Sequence, residues 1–305
     1  MRFTTILAAG AALSAALLTP ATASPTVMSA IPDHISDSVR RELAELPAEN
    51  YTLFDRNAGP SGSLDKRASQ INGIQTTCRS DNCLSMTFDD GPYEWQRKVV
   101  DTLGNAGGQK GTFFVNGNNF RCIYDNDSVS RLRYAYERGH EICSHSWSHP
   151  DLRQLNNQQL DRQVQLVEDA LWKILGVVPA CFRAPYGNIR EDQVRYLNDR
   201  WGLVVVGWNR DTNDANGASP DASLNTYRSL RPPQKAIVLN HETVRSTVDV
   251  VIPQAVNIVR QNGYGRGSQT VASTLWYNPY KVVGRYQNRD GSWTCGGKPG
   301  PGQFW

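Results

Sequence analysis

From Cys83 onward the chain alternates short β-rich runs with amphipathic stretches, and this alternation restricts the fold more than any other property of the sequence. The spacing predicts strands over 83–89, 111–116, 140–145, 181–184, 203–208, 236–241 and 270–275, with helices over 94–106, 128–138, 156–175, 190–201, 220–229 and 246–262. The helix at 156–175 has the clearest pattern: Leu160, Val164, Val167, Leu171, Ile174 and Leu175 recur at helical spacing, with Asp161, Arg162, Gln165 and Asp169 elsewhere. Strands joined through helices pair in parallel, so the expectation is an α/β fold, either an open doubly wound sheet or a barrel. Both architectures bind ligands at the C-terminal ends of their strands.

The residues before this alternation read differently. Met1 and Arg2 precede an apolar run from Ile6 to Leu18 and then Ala21-Thr22-Ala23, the order of a secretory signal, so residues 1–23 are expected to be removed and the protein secreted. That run is too short and Ala-rich for a membrane span, and no later stretch approaches the roughly 18 apolar residues a span needs. Residues 24–67 show one short amphipathic stretch around Val39 to Leu46 and end in Leu64-Asp65-Lys66-Arg67, which resembles a site for kexin-type processing proteases. They are expected to be a pro-segment or linker, leaving 68–305 as the catalytic domain. Two sequons, Asn50-Tyr51-Thr52 and Asn126-Asp127-Ser128, are available for glycosylation after export.

Without the six basic and seven acidic residues before position 68, 26 basic and 22 acidic residues remain, with no Lys/Arg block. Nucleic acid and anionic membrane are therefore not expected partners, and a neutral substrate is. Six cysteines in an exported chain favour disulfides over metal thiolates; fifteen pairings are possible, and a Cys78–Cys295 staple across the domain is the expectation. The Gly/Pro-rich tail after Ser292 is expected to be an irregular strap held by Cys295.

The polar exceptions in the strand pattern fall at strand ends. Asp89 and Asp90 close the first strand within Thr87-Phe88-Asp89-Asp90-Gly91-Pro92, His145 the third, Arg183 the fourth, Trp208 the fifth and His241 the sixth. Adjacent carboxylates repel unless a cation, a shared proton or a positive side chain relieves them. His145-Ser146-Trp147-Ser148-His149 offers two imidazoles four residues apart, which a helical turn would bring to one face. Two neutral nitrogens and one carboxylate make a three-ligand catalytic metal site, with Asp90 the preferred third ligand. A divalent ion acidifies water and polarises a carbonyl. Asp89 is then free to accept a proton as general base, and His241 is the candidate acid for the leaving group.

Taken in order, TFDDGP, HSWSH, Arg183-Ala184-Pro185-Tyr186, Asp211-Thr212-Asn213-Asp214 and Leu239-Asn240-His241 resemble the five motifs of the polysaccharide deacetylases, the NodB-like carbohydrate esterases of family four. The resemblance covers most of residues 80–275 and implies a distorted (β/α)7-type barrel. It also implies zinc, cobalt or another divalent ion on Asp90, His145 and His149, with Asp89 as base and Arg183 paired to it. It further implies His241 as acid, held by Asp214; an oxyanion contact from the Tyr186 backbone N–H; and Leu239 against the acetyl methyl. One position departs: Ala215 follows Asp214 where the family usually has an aromatic wall, which Trp208, Trp147 or Trp95 is expected to replace.

The implied reaction is removal of N-acetyl groups from GlcNAc units of chitin or chito-oligosaccharides, releasing acetate, and a monomer suffices for it. Peptidoglycan and acetyl xylan are the alternative substrates. A non-catalytic carbohydrate-binding protein on the same fold is the rival class, with Ala215 as its only support.

Overall fold

The computed structural model describes residues 31–54 and 71–305; the expected signal sequence and the Lys66-Arg67 pair lie outside them. In chain order the elements are α1 (Asp37–Glu45), β1 (Thr52–Leu53), β2 (Ile74–Gln75), β3 (Leu84–Gly91), α2 (Gln96–Asn105), β4 (Gly111–Val115), α3 (Asn126–Glu137) and β5 (Glu141–Ser144). They continue with α4 (Asn157–Leu175), β6 (Val177–Pro179), β7 (Cys181–Phe182), α5 (Glu191–Trp201), β8 (Val204–Val206), β9 (Arg210–Asp211), α6 (Pro220–Arg228) and β10 (Ala236–His241). A π turn over Thr247–Val251 leads into α7 (Ile252–Gln261), followed by α8 (Val271–Leu275) and β11 (Tyr280–Val283).

Eight strands form one sheet in the order β2-β8-β7-β5-β4-β3-β10-β9, curled as an open barrel with every pairing parallel. Its central strands are covered on both faces, which is why β3 and β4 read as almost unbroken apolar runs. Six of the seven predicted strands take their places in this sheet. The seventh, 270–275, is instead the short helix α8: Thr270 caps it by accepting from the Ser273 N–H, while Thr112 Oγ1 accepts from the Val271 N–H and Glu141 Oε2 from the Ala272 N–H. Those three acceptors satisfy the helix start, and the β-branched residues Val271 and Thr274 concealed it. The two-residue strands β2 and β9 complete the sheet at its edges.

The long helix α4 forms as its periodicity predicts. Asn156 and Gln159 make a reciprocal capping box, Gly176 ends the helix in the left-handed region at φ 70°, and all six apolar residues of the predicted stripe are buried. After this helix, β6 pairs with β11, which in turn pairs with β1, in a small antiparallel sheet.

Residues 31–54 pack onto this assembly, and the amphipathic stretch expected around Val39 to Leu46 falls in α1. Ile31, Ile35, Val39 and Leu43 are buried against Trp172, Val178 and Val282. Beside them is a buried ion pair, Glu168 with Lys281, whose other hydrogen bonds come from the segment and from the Trp201 carbonyl, to which Lys281 Nζ donates at 3.0 Å. Lys281 Nζ donates to the His34 carbonyl (2.8 Å), and the Ser36 N–H donates to Glu168 Oε2 (2.8 Å). A buried ion pair is tolerated only when such bonds satisfy its remaining atoms, so the segment completes the domain it covers.

Two disulfides, Cys122–Cys295 and Cys143–Cys181, cross-link the described residues. The predicted Cys78–Cys295 staple does not form. Cys295 lies beside the loop after β4, whereas the Cys78 thiol is buried at the start of β10, donating to the Ala236 carbonyl at 3.4 Å.

Candidate active site

The register of the parallel strands gathers the site. Asp89 lies opposite His241 between β3 and β10, and opposite Phe114 between β3 and β4, so the carboxylate pair and the fifth-motif histidine share one edge. After β5 the chain delivers His145, and after β7 it delivers Arg183. A cavity of about 400 Å³ opens there, lined among others by Asp89, Asp90, His145, His149, Tyr186, Trp208, Leu239 and His241.

Arg183 is buried beneath this cavity and nearly every donor it has is used. Nη1 donates to Asp89 Oδ1 (2.8 Å) and Thr87 Oγ1 (2.7 Å), Nε to the Val206 carbonyl (3.2 Å), and Nη2 to the Gly207 carbonyl (2.9 Å). Its guanidinium also lies 4.0 Å from the Phe114 ring centroid. One oxygen of Asp89 is thereby fixed, and burial pushes the carboxyl above its ordinary range even with Arg183 beside it. Greater proton affinity in a buried carboxylate suits it to act as a base. Thr87 was missed by the sequence reading; it stands two residues before Asp89, and period-two alternation puts both on one side of the strand.

Asp90, His145 and His149 offer ligand atoms that all lie within 4.8 Å of one another. Asp90 Oδ1 is 3.2 Å from His149 Nε2 and 3.7 Å from His145 Nε2. His145 Nδ1 pairs with the Arg183 carbonyl at 2.8 Å, so it carries the proton and leaves Nε2 as the free lone pair. Burial holds both imidazoles neutral, at about 3, and raises Asp90 to about 7. Neutral nitrogens and one carboxylate are the donor set of a catalytic divalent ion, and these residues fit it. The two histidines do not share a helix as the spacing suggested. His145 follows a strand, Ser146 and His149 have φ of 67° and 57°, and the Pro150 that follows disfavours helical geometry at His149.

His241 forms a second unit with Asp214. Its Nδ1 lies 2.7 Å from Asp214 Oδ1, and its backbone N–H donates to Oδ2 at 2.8 Å; Thr247 Oγ1 and the Ala215 N–H also donate to this carboxylate. Burial alone would lower the imidazole, but the hydrogen bond and charge of Asp214 outweigh it and hold His241 at about 9. Thr247 is a further partner that no motif marked.

Tyr186 occupies a turn at φ 58°, its ring 4.5 Å from that of His149, and its N–H has no protein acceptor among the described residues. Non-glycine residues in this region cost about 1 to 2 kcal/mol each, and Asp90 (φ 73°), His149 and Tyr186 all adopt it. Trp208 does line the cavity, as does Ala215. Trp147 is fully buried and Trp95 packs edge-on against Tyr93, so neither replaces the missing aromatic wall as a cavity-lining residue.

A parallel, barrel-like sheet with a two-histidine, one-aspartate triad at its C-terminal edge defines a class, the NodB-type deacetylase barrels. The model of the polysaccharide deacetylase family matches residues 76–206. A chitin deacetylase from Pestalotiopsis sp is 32% identical over 210 residues, covering 68% of this chain and 69% of that protein. A chitin deacetylase from Arthroderma benhamiae is 31% identical over 212 residues, 66% of this chain and 56% of that protein. The solved structure of the chitin deacetylase from Colletotrichum lindemuthianum superimposes with a TM-score of 0.63 at 27% identity, over 68% of this chain and 95% of that one. The chain belongs to the polysaccharide deacetylase family, and it is a deacetylating enzyme of that family.

Proposed function

We propose that this enzyme hydrolyses N-acetyl groups on GlcNAc units of chitin or chito-oligosaccharides outside the cell, using zinc as its divalent ion. The observation that carries the reading is the meeting, in one cavity, of Asp89 on Arg183, the Asp90–His145–His149 triad, and His241 on Asp214. Its fungal chitin deacetylase relatives support the substrate. Export is supported by the two disulfides and by the lack, among the described residues, of any helix long and apolar enough to cross a membrane.

Asp90, His145 and His149 would hold the ion, which supplies Lewis-acid polarisation and acidifies water when bound. The free oxygen of Asp89 accepts a proton from the attacking water as its oxygen adds to the acetyl carbonyl. Arg183 keeps that carboxylate in place and ionised before the transfer. The Tyr186 N–H donates to the developing oxyanion, and Leu239 packs on the acetyl methyl. His241, charged and oriented by Asp214, donates a proton to the amide nitrogen as the C–N bond breaks. Acetate and the free amine leave.

The test is acetate release from a chitin oligomer by the wild type and by Asp89→Asn, each after chelation and after zinc is returned. Zinc-restored release in the wild type, with activity lower by about 10²-fold or more in the variant, is the expected result. Release from acetyl xylan or peptidoglycan but not from chitin would overturn the substrate and keep the mechanism. No release from any of these glycans would overturn the enzymatic reading.

A further inference from the structure

The loop from His145 to His149 carries two of the three triad ligands, yet it belongs to no helix or strand and contains two left-handed residues. Its geometry must therefore come from what it touches. On one side the residues after β4 hold it: Asn116 Nδ2 donates to the His145 carbonyl (2.5 Å) and the Asn118 N–H to the Trp147 carbonyl (2.7 Å). From α4, Gln163 accepts from the Ser148 N–H at 2.9 Å.

The other side is closed by the tail. Trp147 Nε1 donates to the Pro299 carbonyl at 3.0 Å, the Gly302 N–H donates to the Ser148 carbonyl at 2.5 Å, and the Ser148 hydroxyl donates to the Gln303 carbonyl. Asn118 Nδ2 also reaches the Pro299 carbonyl, at 3.0 Å, so the two sides of the clamp are joined. The tail is itself fixed by Cys122–Cys295. Trp147 has no space to move: a Cβ on Gly117 would lie 1.9 Å from its ring. Between the two ligands, then, Trp147 and Ser148 are both tied to the last residues of the chain.

We propose that the strap from Cys295 to Gln303 is the positioning element of the His145–His149 loop and sets the affinity of the triad for its divalent ion. No strap residue lines the catalytic cavity, so the strap acts through the ligands' placement. Groups that orient metal ligands from behind are worth about 10- to 100-fold in metal affinity. The proposal rests on Asp90, His145 and His149 being the ligands, but not on which glycan is deacetylated.

The experiment compares the full chain with one ended after Lys298, which loses the Pro299, Gly302 and Gln303 contacts. Zinc dissociation constants are measured by competition with a chromophoric chelator, alongside far-UV circular dichroism of the metal-free proteins. A zinc dissociation constant raised about 10- to 100-fold with an unchanged dichroism spectrum is the expected result. Trp147→Phe keeps an aromatic ring, though a smaller one, and the strap but lacks the Nε1–H, and the double variant Cys122→Ser, Cys295→Ser frees the strap without shortening it. Both are expected to weaken zinc at least about 3-fold. If the shortened chain does not fold, these two variants decide.

Zinc affinity within twofold of the full chain in the folded variants would overturn the proposal, even if the full chain releases acetate normally. A full chain that binds no zinc would overturn both the proposal and the assignment of the triad.

Discussion

Replacing Asp214 by Asn tests the source of the proton for the leaving amine. The carboxylate accepts from four donors: the His241 ring and N–H, the Thr247 hydroxyl and the Ala215 N–H. Burial lowers His241, Asp214 more than restores it, and the result is an imidazolium that persists to about pH 9. Asparagine keeps the shape and removes the charge, so burial, opposed only by the lesser pull of Asp89 and Asp90, should bring the imidazole back to about its ordinary 6.5. That change corresponds to about 3.4 kcal/mol. At pH 8 the protonated fraction would fall from about 0.9 to about 0.03, a loss of about 30-fold, whereas at pH 5.5 protonation alone costs almost nothing.

The assay is kcat/KM for acetate release over pH 5.5–9.5 with zinc saturating. The alkaline limb of the wild type should fall near pH 9 and that of the variant two or more pH steps lower. The same pair of groups predicts stability. His241 has a folded-state pKa above its unfolded value, so its contribution is complete below about pH 6.5 and is lost as pH rises through about 9. Wild-type Tm should decline over that window more than the variant's. A variant that keeps the wild-type alkaline limb, or loses activity equally at every pH, would show that Asp214 acts by geometry alone and refute the argument.

Three further outcomes are expected. Ala215→Trp restores an aromatic wall to the cavity, and KM for a chitin oligomer should fall about 3- to 10-fold with kcat little changed, as measured by steady-state kinetics. Gly91→Ala would place a Cβ 1.9 Å from Glu242 Oε1 inside a fully buried contact; denaturant titration should show a loss of about 1 to 3 kcal/mol, with activity down at least about 10-fold. Cys143→Ser with Cys181→Ser removes a link that lies two residues before both His145 and Arg183. It should cost about 2 to 4 kcal/mol in denaturant titration and lower zinc affinity as well.

The parallel sheet and the edge where the chemistry lies were legible because both rest on local patterns. The stripe of α4 and the unbroken apolar runs of β3 and β4 are properties of single segments, and the polar residues at strand ends stand out against them. What escaped depends on partners distant in sequence. Strands of two residues, such as β2 and β9, are too short to show any period, and α8 is a helix because Thr112 and Glu141, far upstream, accept its first N–H groups. The His145–His149 loop could not be placed without the tail that holds it. One signal was read only in part: the amphipathic stretch around Val39 to Leu46 was seen, but not that the apolar spacing continues upstream through Ile31 and Ile35 to make one buried apolar row.

That row changes what cleavage after Arg67 would accomplish. Four buried side chains, a strand pairing with β11 and two bonds to an interior ion pair join the segment to the domain without any covalent help beyond the chain itself. Cutting there would yield a nicked molecule of two polypeptides rather than a shed leader, and any glycan on Asn50 would travel with the enzyme. Its unfolding would then become a dissociation: Tm would rise with protein concentration after the cut and be independent of it before.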